Sequence, residues 1–372
     1  MTIPFGSLKR EYDSISGEID EAIKKVLNSG WFILGKEVEE FEKDFANYIG
    51  TKFCVACANG TDAITLSLLA LDIKEGDEVI TQTNTCIPTV CAIINSDAIP
   101  VFCDVNDDTL MIDTNDLINK ITDKTRAIIP VNLFGSCPDY DKICKISKEY
   151  SIPIIEDCAQ SHGAKFGNQK TGTFGITGCF SFYPSKNLGC YGDGGAITTN
   201  DNELYNKLLM LRNYGQEKRY YHTTLGLNSR LDEIQAAILN IKLIHLDNWN
   251  KARQKIATRY NKAFEKDKDV TTLKFGEKVE SVYHLYIVKV RKREKLQEYL
   301  ASKNISTLIH YPIPCHLQKA YQYLGYKEGD FKISEKGSKE ILSLPIFPQM
   351  KDSEVDYVIK CIKAFYEDNI GL

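Results

Sequence analysis

The sequence predicts an α/β protein in which helices flank a mainly parallel sheet and a smaller α+β region follows. Three observations support this fold class. The first two thirds of the chain alternate short strand-like segments with helical patterns, a long helical stretch comes next, and the pattern of elements changes after it. Strand–helix alternation is typical of parallel sheets that are covered on both faces.

Seven segments of the first two thirds have the composition of strands. Each is short, rich in Val, Ile or Phe, and bounded by Gly, Asp, Asn or Pro, which favour turns. We therefore predict a seven-stranded, mainly parallel sheet. Its strands are expected over residues 53–56, 78–81, 99–105, 126–133, 153–156, 179–183 and 196–199.

Apolar residues at a spacing of three and four indicate the helices between and after these strands. Two helices are expected over residues 61–71 and 139–150. A much longer one starts near Ser229 and runs past Trp249, with one apolar face along its length. This long helix separates the alternating region from the rest of the chain.

The last third predicts a small α+β domain. A strand is expected over residues 283–290, and helices are expected over 294–303 and 353–366. No low-complexity linker marks the boundary, so we place it in or just after the long helix. The prediction is a large domain of residues 1–245 and a small domain of residues 246–372.

Composition limits the function classes. The chain has 372 residues, 43% of them hydrophobic, a length that fits two domains better than one core. Its 46 basic and 50 acidic residues are mixed and leave a net charge of −4, so we expect no nucleic-acid-binding face. The apolar runs are too short for a membrane span, and the N-terminus lacks a signal-peptide layout. We expect a soluble cytoplasmic protein.

The twelve cysteines lie mostly in apolar runs, where free cysteine behaves as a small hydrophobic residue. In a cytosolic chain of this size we expect reduced thiols. Cys54 and Cys57 have the C-x-x-C spacing, but they lack a second pair or nearby histidines, which argues against zinc. His310 and His316 lack a third ligand. We therefore predict no metal site.

The segment Asn59-Gly60-Thr61 follows the first predicted strand and opens a helix. Gly60 lets the backbone approach a ligand, and a helix N-terminus presents free N–H groups with partial positive charge, so a phosphate could bind there. A plain N-cap by Asn59 or Thr61 explains the same residues when they are taken alone.

Two further motifs lie at strand ends, where open α/β sheets bind ligands. One strand ends in Glu156 and Asp157, and a carboxylate held there can pair with a protonated pyridine nitrogen. The strand over residues 179–183 is followed by a Pro-Ser turn and Lys186. A desolvated lysine amine forms a Schiff base with an aldehyde. Taken singly, each motif is weak, because a carboxylate or a lysine at such a position usually faces water.

The three motifs together match one small molecule. Pyridoxal 5′-phosphate (PLP) carries a phosphate, a pyridine nitrogen and an aldehyde. The glycines after Lys186, at positions 189, 192, 194 and 195, do not form G-x-G-x-x-G and open no helix, which excludes a dinucleotide fingerprint. The sequence therefore predicts a PLP enzyme.

The motifs also resemble one family over essentially the whole chain. The sequence is similar to the sugar aminotransferases of the DegT/DnrJ/EryC1/StrS family, within the fold-type-I PLP enzymes. The matching segments are GWFILG at 30–35, NGT at 59–61, EDCAQ at 156–160, FYPSKN at 182–187, LRNYG at 211–215, NSRLDEIQ at 228–235, HYP at 310–312 and HL at 316–317. The resemblance implies transfer of an amino group from glutamate to a nucleotide-linked keto sugar, by a homodimer with shared active sites.

The resemblance implies a role for each site residue. Lys186 would be catalytic and carry PLP as a Schiff base, Asp157 would pair with the pyridine nitrogen, and Gln160 would lie near the ring hydroxyl. Asn228 would reach the cofactor phosphate of the neighbouring subunit. The residues expected to bind the phosphate are Gly60, Thr61 and Ser181, and those expected on the sugar side are His162, Tyr183, Tyr221, His310, Tyr311 and His316.

One position departs from the family pattern. Relatives often place an aromatic residue in the stretch 84–89, where it stacks on the cofactor ring, and this chain has Cys86 there. A thiol can contact a ring, although it buries less apolar area. Two histidines outside the motifs, His245 on the long helix and His284 before a strand, are expected to be structural.

The position of amination and two other functions stay open from sequence alone. The motifs around Lys186 and Asn228 resemble the 3-keto branch most, which predicts conversion of a dTDP-3-keto-6-deoxyhexose into a dTDP-3-amino-3,6-dideoxyhexose. A 4-keto-sugar aminotransferase acting on a UDP-, GDP- or dTDP-sugar is the alternative. A PLP sugar dehydratase is disfavoured because such relatives replace the Schiff-base lysine or add a cysteine cluster. A non-catalytic regulatory homologue is disfavoured because the expected site residues are kept, apart from the stacking aromatic.

Overall fold

The structure, a computed structural model, describes residues 2–367. Helices and strands are numbered in chain order. The helices are α1 (Leu8–Ser29), α2 (Lys36–Ile49), α3 (Gly60–Ala70), α4 (Ile87–Asn95), α5 (Thr114–Lys120), α6 (Tyr140–Tyr150), α7 (Asn202–Leu211), α8 (Glu233–Phe264), α9 (Arg293–Ser302), α10 (Lys332–Glu340) and α11 (Asp352–Glu367). The strands are β1 (Phe53–Cys57), β2 (Glu78–Gln82), β3 (Ile99–Cys103), β4 (Thr125–Ile129), β5 (Ile155–Asp157), β6 (Lys165–Phe166), β7 (Gln169–Lys170), β8 (Thr177–Ser181), β9 (Gly195–Thr199), β10 (Gln216–Lys218), β11 (Tyr221–His222), β12 (Val270–Thr272), β13 (Val279–Glu280), β14 (Tyr286–Val290) and β15 (Ile341–Leu344).

The predicted alternation of strands and helices in the first two thirds is confirmed, and each predicted strand overlaps an observed one. The largest difference lies at residues 126–133, where β4 is shorter than expected. Pro130 follows β4 directly and has no N–H to donate to a ladder, and a 3-10 turn then covers Leu133–Gly135. The regular strand therefore ends at Ile129, a single bridge joins Val131 to Asp157, and the chain then enters the loop that borders the site.

The long predicted helix begins later than expected. α8 starts at Glu233 rather than near Ser229, because Asn228 forms an antiparallel bridge with Asn213 in extended backbone. The helix is continuous past residue 245. No break in α8 marks the predicted boundary, and the division into two domains stays a prediction.

The strands that carry the site form two neighbouring sheets, ordered β1-β9-β8-β5 and β3-β2-β4. Parallel pairs join β5 to β8 and β2 to both β3 and β4, whereas β9 is antiparallel to β1 and β8. Two parallel bridges, Ile128 with Ile154 and Val131 with Asp157, connect the β4 and β5 segments. The carboxyl ends of β4, β5 and β8 consequently meet at one edge.

Two hydrophobic cores organise the sheet region and the C-terminal region separately. One packs α3 against the sheet through side chains such as Ile64, Leu68 and Val79, and the other lies in the C-terminal region around Tyr260 and Val288. Helices α1 and α2, for which the sequence analysis made no prediction, pack against α8. Because α3 is anchored along its length, its N-terminus is fixed beside the strand ends.

The two acidic residues at the end of β5 have different roles. Glu156 is buried, and its carboxylate accepts hydrogen bonds from the backbone N–H groups of Gly172 (2.8 Å), Phe174 (2.7 Å) and Gly175 (2.9 Å). Burial raises the pKa of Glu156, and these N–H groups oppose that change. Glu156 thus fixes the loop between β7 and β8. The neighbouring Asp157 instead lines a cavity, which is described below.

Glu156→Gln is expected to lower the free energy of unfolding by about 2 kcal/mol, because the amide keeps one acceptor oxygen and turns an NH₂ group toward N–H donors. Urea denaturation measures this change. The matched control is Glu149→Gln, an exposed position on α6, which should change the same quantity by less than about 0.5 kcal/mol. Equal effects of the two substitutions would contradict the role given to Glu156.

Candidate active site

A cavity of about 650 Å³ lies at the carboxyl ends of β4, β5 and β8. Its walls come from the loops after these strands, the N-terminus of α3 and the segment after α9. The structure brings ten of the fourteen predicted site residues to this cavity. They are Gly60, Thr61, Cys86, Asp157, Gln160, Ser181, Tyr183, Lys186, His310 and Tyr311.

Lys186 lies in the turn that follows β8. Its backbone N–H donates to the carbonyl of Tyr183 at 2.8 Å, which closes the turn and aims the side chain into the cavity. Burial lowers the pKa of the Lys186 amine, and the nearby Cys86 and Asp157 side chains oppose this. A larger fraction of the amine is therefore neutral at pH 7, and the neutral amine is the nucleophile.

Asp157 is a buried carboxylate at the end of β5. One oxygen accepts a hydrogen bond from the Thr89 hydroxyl at 2.7 Å, and the other accepts from the Ala159 backbone N–H at 3.1 Å. Burial raises the pKa of Asp157, and these hydrogen bonds and the Lys186 charge oppose the change. Both hydrogen-bond donors are neutral. A cationic group in the cavity would therefore supply the positive charge that stabilises a buried, ionised carboxylate.

The predicted phosphate site is a cradle between α3 and β8. Asn59 accepts a hydrogen bond from the Asp62 backbone N–H at 2.8 Å and so caps α3. Gly60 packs so closely on the neighbouring strand that a Cβ there would lie 2.6 Å from the Cβ of Ser181. Glycine at this position thus lets the helix N–H groups and the Ser181 hydroxyl approach one another, as a bound phosphate requires.

Gln160, Tyr311 and Cys86 form one side of the cavity. The Gln160 side chain accepts from the Phe134 backbone N–H at 2.7 Å and donates to the Tyr311 hydroxyl at 3.3 Å. Cys86 immediately precedes α4 and is half-buried, and burial raises the pKa of its thiol. The thiol is therefore neutral at pH 7 and presents a small polarizable surface to the cavity.

Aromatic side chains with polar groups line the side of the cavity that opens to solvent, here called the open side. Tyr183 is 55% exposed, and His310 is hydrogen-bonded through Nδ1 to the Ser343 hydroxyl at 2.8 Å. Burial lowers the pKa of His310 to about 4, so this ring is neutral at pH 7. His284, expected to be structural, also lines the cavity, and its Nδ1 lies 3.1 Å from the side-chain oxygen of Asn187.

His162 departs from the expectation that it faces the substrate. It is fully buried, does not line the cavity, and packs on Phe180 and Phe182 at ring-centre distances of 5.5 and 5.7 Å. Burial lowers its pKa to about 3. The sequence motif places His162 two residues after Gln160, but the chain turns it to the opposite side of the loop, into the aromatic core.

His316 departs in the same way. Its Nδ1 lies 2.7 Å from the Thr83 hydroxyl and its Nε2 lies 3.0 Å from a carboxylate oxygen of Glu335. The ring is buried and does not line the cavity. Both nitrogens are engaged by the protein, which gives His316 a structural role between the β2 loop and α10.

Tyr221 and Asn228 lie on the surface, outside the cavity of their own subunit. Tyr221 is 64% exposed in the hairpin formed by β10 and β11, and Asn228 is exposed beside that hairpin. Neither residue lines this cavity in its own chain. The role predicted for Asn228 involves the neighbouring subunit, and the substrate-binding role predicted for Tyr221 stays a prediction.

A model of the DegT/DnrJ/EryC1/StrS aminotransferase family matches residues 13–363. The chain belongs to this family. It is 46% identical to a dTDP-3-amino-3,6-dideoxy-alpha-D-galactopyranose transaminase of Aneurinibacillus thermoaerophilus. The match covers 98% of this chain and 99% of that protein. It is also 42% identical to a protein of Geobacillus stearothermophilus named pleiotropic regulatory protein. The match covers 98% of this chain and 99% of that protein.

Solved structures of the family share the fold. S. venezuelae DesV in complex with a ketimine intermediate superimposes with a TM-score of 0.96, at 39% identity and with 98% of each chain covered. NtdA from Bacillus subtilis, with the cofactor PMP bound, gives a TM-score of 0.91 at 30% identity, covering 97% of this chain and 84% of its own. PMP is the amino form of PLP. The predicted PLP-dependent aminotransferase is confirmed.

The residues of this family member fit PLP. The buried carboxylate of Asp157 suits the ring nitrogen, the cradle at Gly60 and Ser181 suits the phosphate, and Lys186 suits the aldehyde. PLP bound there would act as an electron sink for the carbon atom that bears the amino group, which allows that group to move between substrates. Lys186 would supply the amine that can take or give a proton at Nζ, and Asp157 would hold the ring nitrogen in its charged form.

Several site residues escaped the sequence analysis because their roles depend on tertiary contacts. Thr85 donates to or accepts from Thr89 at 2.8 Å, and Thr89 in turn holds Asp157. Ser229 donates to the Asp62 carboxylate at 2.7 Å and so ties the segment before α8 to the phosphate cradle. The only sequence signal was the threonine-rich stretch 84–89.

Other site types find no support in the part of the chain that the structure describes. Residues 2–367 contain no group of three or more His, Cys, Asp or Glu side chains arranged to hold a metal ion. Among the helices of the same residues, none combines the length and apolar character needed to cross a membrane.

Asp157→Asn is expected to weaken PLP binding and to lower turnover about a hundredfold, about 2.7 kcal/mol, because the amide cannot keep the ring nitrogen protonated. Equilibrium dialysis gives the PLP affinity and a coupled assay gives turnover. Asp193→Asn, the same loss of charge at an exposed residue of the cavity rim, serves as the control for PLP affinity. Equal PLP affinity of wild type and Asp157→Asn would refute the assigned pairing.

Proposed function

We propose that this aminotransferase adds an amino group to C3 of a nucleotide-linked 3-keto sugar, with glutamate as donor. The observation that carries the proposal is that Lys186, Asp157 and the Gly60 cradle lie in one cavity of a chain 46% identical to a dTDP-3-amino-sugar transaminase. The specific reaction proposed is dTDP-3-keto-6-deoxyhexose to dTDP-3-amino-3,6-dideoxyhexose.

The chemistry of the open side supports a sugar. Tyr183, His310 and Tyr311 offer a phenol, a neutral imidazole and a second phenol. Such groups exchange hydrogen bonds with hydroxyls, whereas a small amino acid would need a cation for its carboxylate. Because the nucleotide is attached at the anomeric carbon, moving the keto group by one carbon must shift the sugar over the cavity floor. Fixed polar partners then discriminate between keto isomers, since an isomer that fits poorly leaves them unpaired.

The main alternative is a 4-keto-sugar aminotransferase, which would use the same cofactor residues. A purely regulatory protein is suggested by the name of the Geobacillus relative alone. Lys186, Asp157 and the Gly60 cradle all lie in one cavity in this chain, and a protein without catalysis would not need an amine of lowered pKa there. We therefore assign catalysis to this chain.

The purified enzyme is expected to prefer the 3-keto isomer of a dTDP-6-deoxy sugar over the 4-keto isomer by at least tenfold in kcat/KM, about 1.4 kcal/mol in the transition state. The measurement uses both isomers with glutamate and identifies the product by mass and NMR. A tenfold preference for the 4-keto isomer would move this chain to the 4-amino branch and leave the PLP site unchanged.

We further infer a homodimer in which each subunit completes the other's site. The surface around Asn228 is apolar and exposed, with Leu225 92% exposed and Tyr214 and Tyr221 also largely uncovered. An exposed apolar patch of this kind is typical of an interface. A twofold axis would bring two such loops to two cavities, and Asn228 would then reach the partner's phosphate cradle.

Mixing Lys186→Ala chains with Asn228→Ala chains, after unfolding and refolding together, is expected to restore activity. Half of the dimers would be mixed, and each mixed dimer would hold one site with both residues intact. The control mixes Lys186→Ala with Asp157→Asn, two changes in the same subunit's cavity, and should restore nothing. Absence of recovery in the first mixture, with wild-type chains refolding normally, would refute sharing of Asn228.

A further inference from the structure

A side chamber of about 340 Å³ adjoins the cofactor cavity. The two spaces share four wall residues, Ser185, His284, Leu285 and His310. Ser185 directly precedes Lys186, so the chamber opens close to the reacting amine. Nothing in the roles assigned above uses this space.

The chamber holds a buried cation that makes no salt bridge with a carboxylate of the described residues. Arg253 of α8 lines it and is only 6% exposed. Its Nη1 donates to the backbone carbonyls of Ile346 (2.9 Å), His284 (3.4 Å) and Tyr283 (3.5 Å). Among the described residues, no hydrogen-bond acceptor reaches its Nε. Burial lowers the pKa of Arg253 to about 10, which still leaves it charged at pH 7.

The other polar groups of the chamber neutralise this charge only in part. Glu11 also lines the chamber and its charge opposes the lowering of the Arg253 pKa, but its carboxylate forms a salt bridge with the buried Lys242 at 2.7 Å, so one anion serves two cations. Gln349 has a side-chain amide oxygen that is buried without a hydrogen-bond partner among the described residues. A buried guanidinium is stable when it is paired with an anion and its remaining N–H groups are hydrogen-bonded. An anionic ligand would supply that missing partner.

The remaining walls indicate the class of anion. Leu285, Leu308 and Phe347 make the chamber largely apolar, which suits a short methylene chain. One guanidinium matches one carboxylate, whereas a diphosphate would leave most of its charge in apolar surroundings. The chamber therefore fits the end of a small dicarboxylic acid whose other end lies near Lys186.

We propose that Arg253 in this side chamber binds a carboxylate of the amino donor, a dicarboxylic amino acid, and so sets donor specificity. The proposal rests on the proposed aminotransfer, because it assumes that an amino acid and a sugar use the cofactor in turn. The donor would lie toward α8, while the larger sugar would occupy the open side at Tyr183. The two substrates would use Lys186 in turn, and His310 borders both of their places.

The test measures binding of glutarate, a dicarboxylate without an amine, to the PLP-loaded enzyme by calorimetry. Arg253→Gln is expected to weaken glutarate binding about tenfold or more, since a charge-assisted hydrogen bond is lost, and Arg253→Lys is expected to recover part of it. Binding of pyrophosphate, the control anion, should change less than about twofold. Because no sugar takes part, the result does not depend on which keto sugar the enzyme accepts.

A second pair of variants covers the case in which changes at Arg253 disturb folding. Leu308 is 46% exposed and lines the chamber. Leu308→Glu places a negative charge on the wall and should weaken glutarate binding about fivefold, whereas the matched neutral change Leu308→Gln should alter it less than about twofold. Equal glutarate affinity in Leu308→Glu and Leu308→Gln would overturn the proposal. So would loss of pyrophosphate binding in Arg253→Gln with glutarate binding intact.

Discussion

The site depends on the burial of two ionisable side chains of opposite charge in one cavity. Burial lowers the pKa of Lys186 and raises the pKa of Asp157, so burial favours the neutral form of both side chains. A ligand with a cationic group and an aldehyde would stabilise the charged carboxylate and bond to the neutral amine. The strand ends hold the two side chains where they are, because β5 and β8 are parallel neighbours. The long hydrogen-bonded loop at Glu156 and the packing of α3 keep those strand ends fixed.

Much of the fold follows from local sequence. Short runs of Val, Ile and Phe between turn residues identified the strands of the sheet region, and apolar spacing identified α8. The direction of β9 was not predictable, since composition does not distinguish parallel from antiparallel pairing. The early end of β4 was signalled by Pro130, although the expected strand ran past it. The late start of α8 depends on a bridge between Asn213 and Asn228, which only the folded chain brings together.

The site was predictable where a motif lies at a strand end. Gly60, Asp157 and Lys186 each lie at the carboxyl end of a strand or within a few residues after it, so their convergence follows from the topology. Histidines were predicted less well: His162 and His316 are buried structural residues, whereas His284 lines the cavity. A histidine in the sequence carries no signal of the side to which its loop will turn it. The support that Thr89 gives to Asp157 likewise appears only in the tertiary structure.

We infer that Lys186 alone joins the chain covalently to PLP. Borohydride reduction of the PLP-loaded enzyme fixes that linkage, and digestion followed by mass spectrometry locates it. We expect a pyridoxyl-phosphate mass on the peptide that contains Lys186, with unlabelled peptides for other buried lysines such as Lys242. A label on any other lysine, or none after PLP saturation, would exclude Lys186 as the covalent anchor.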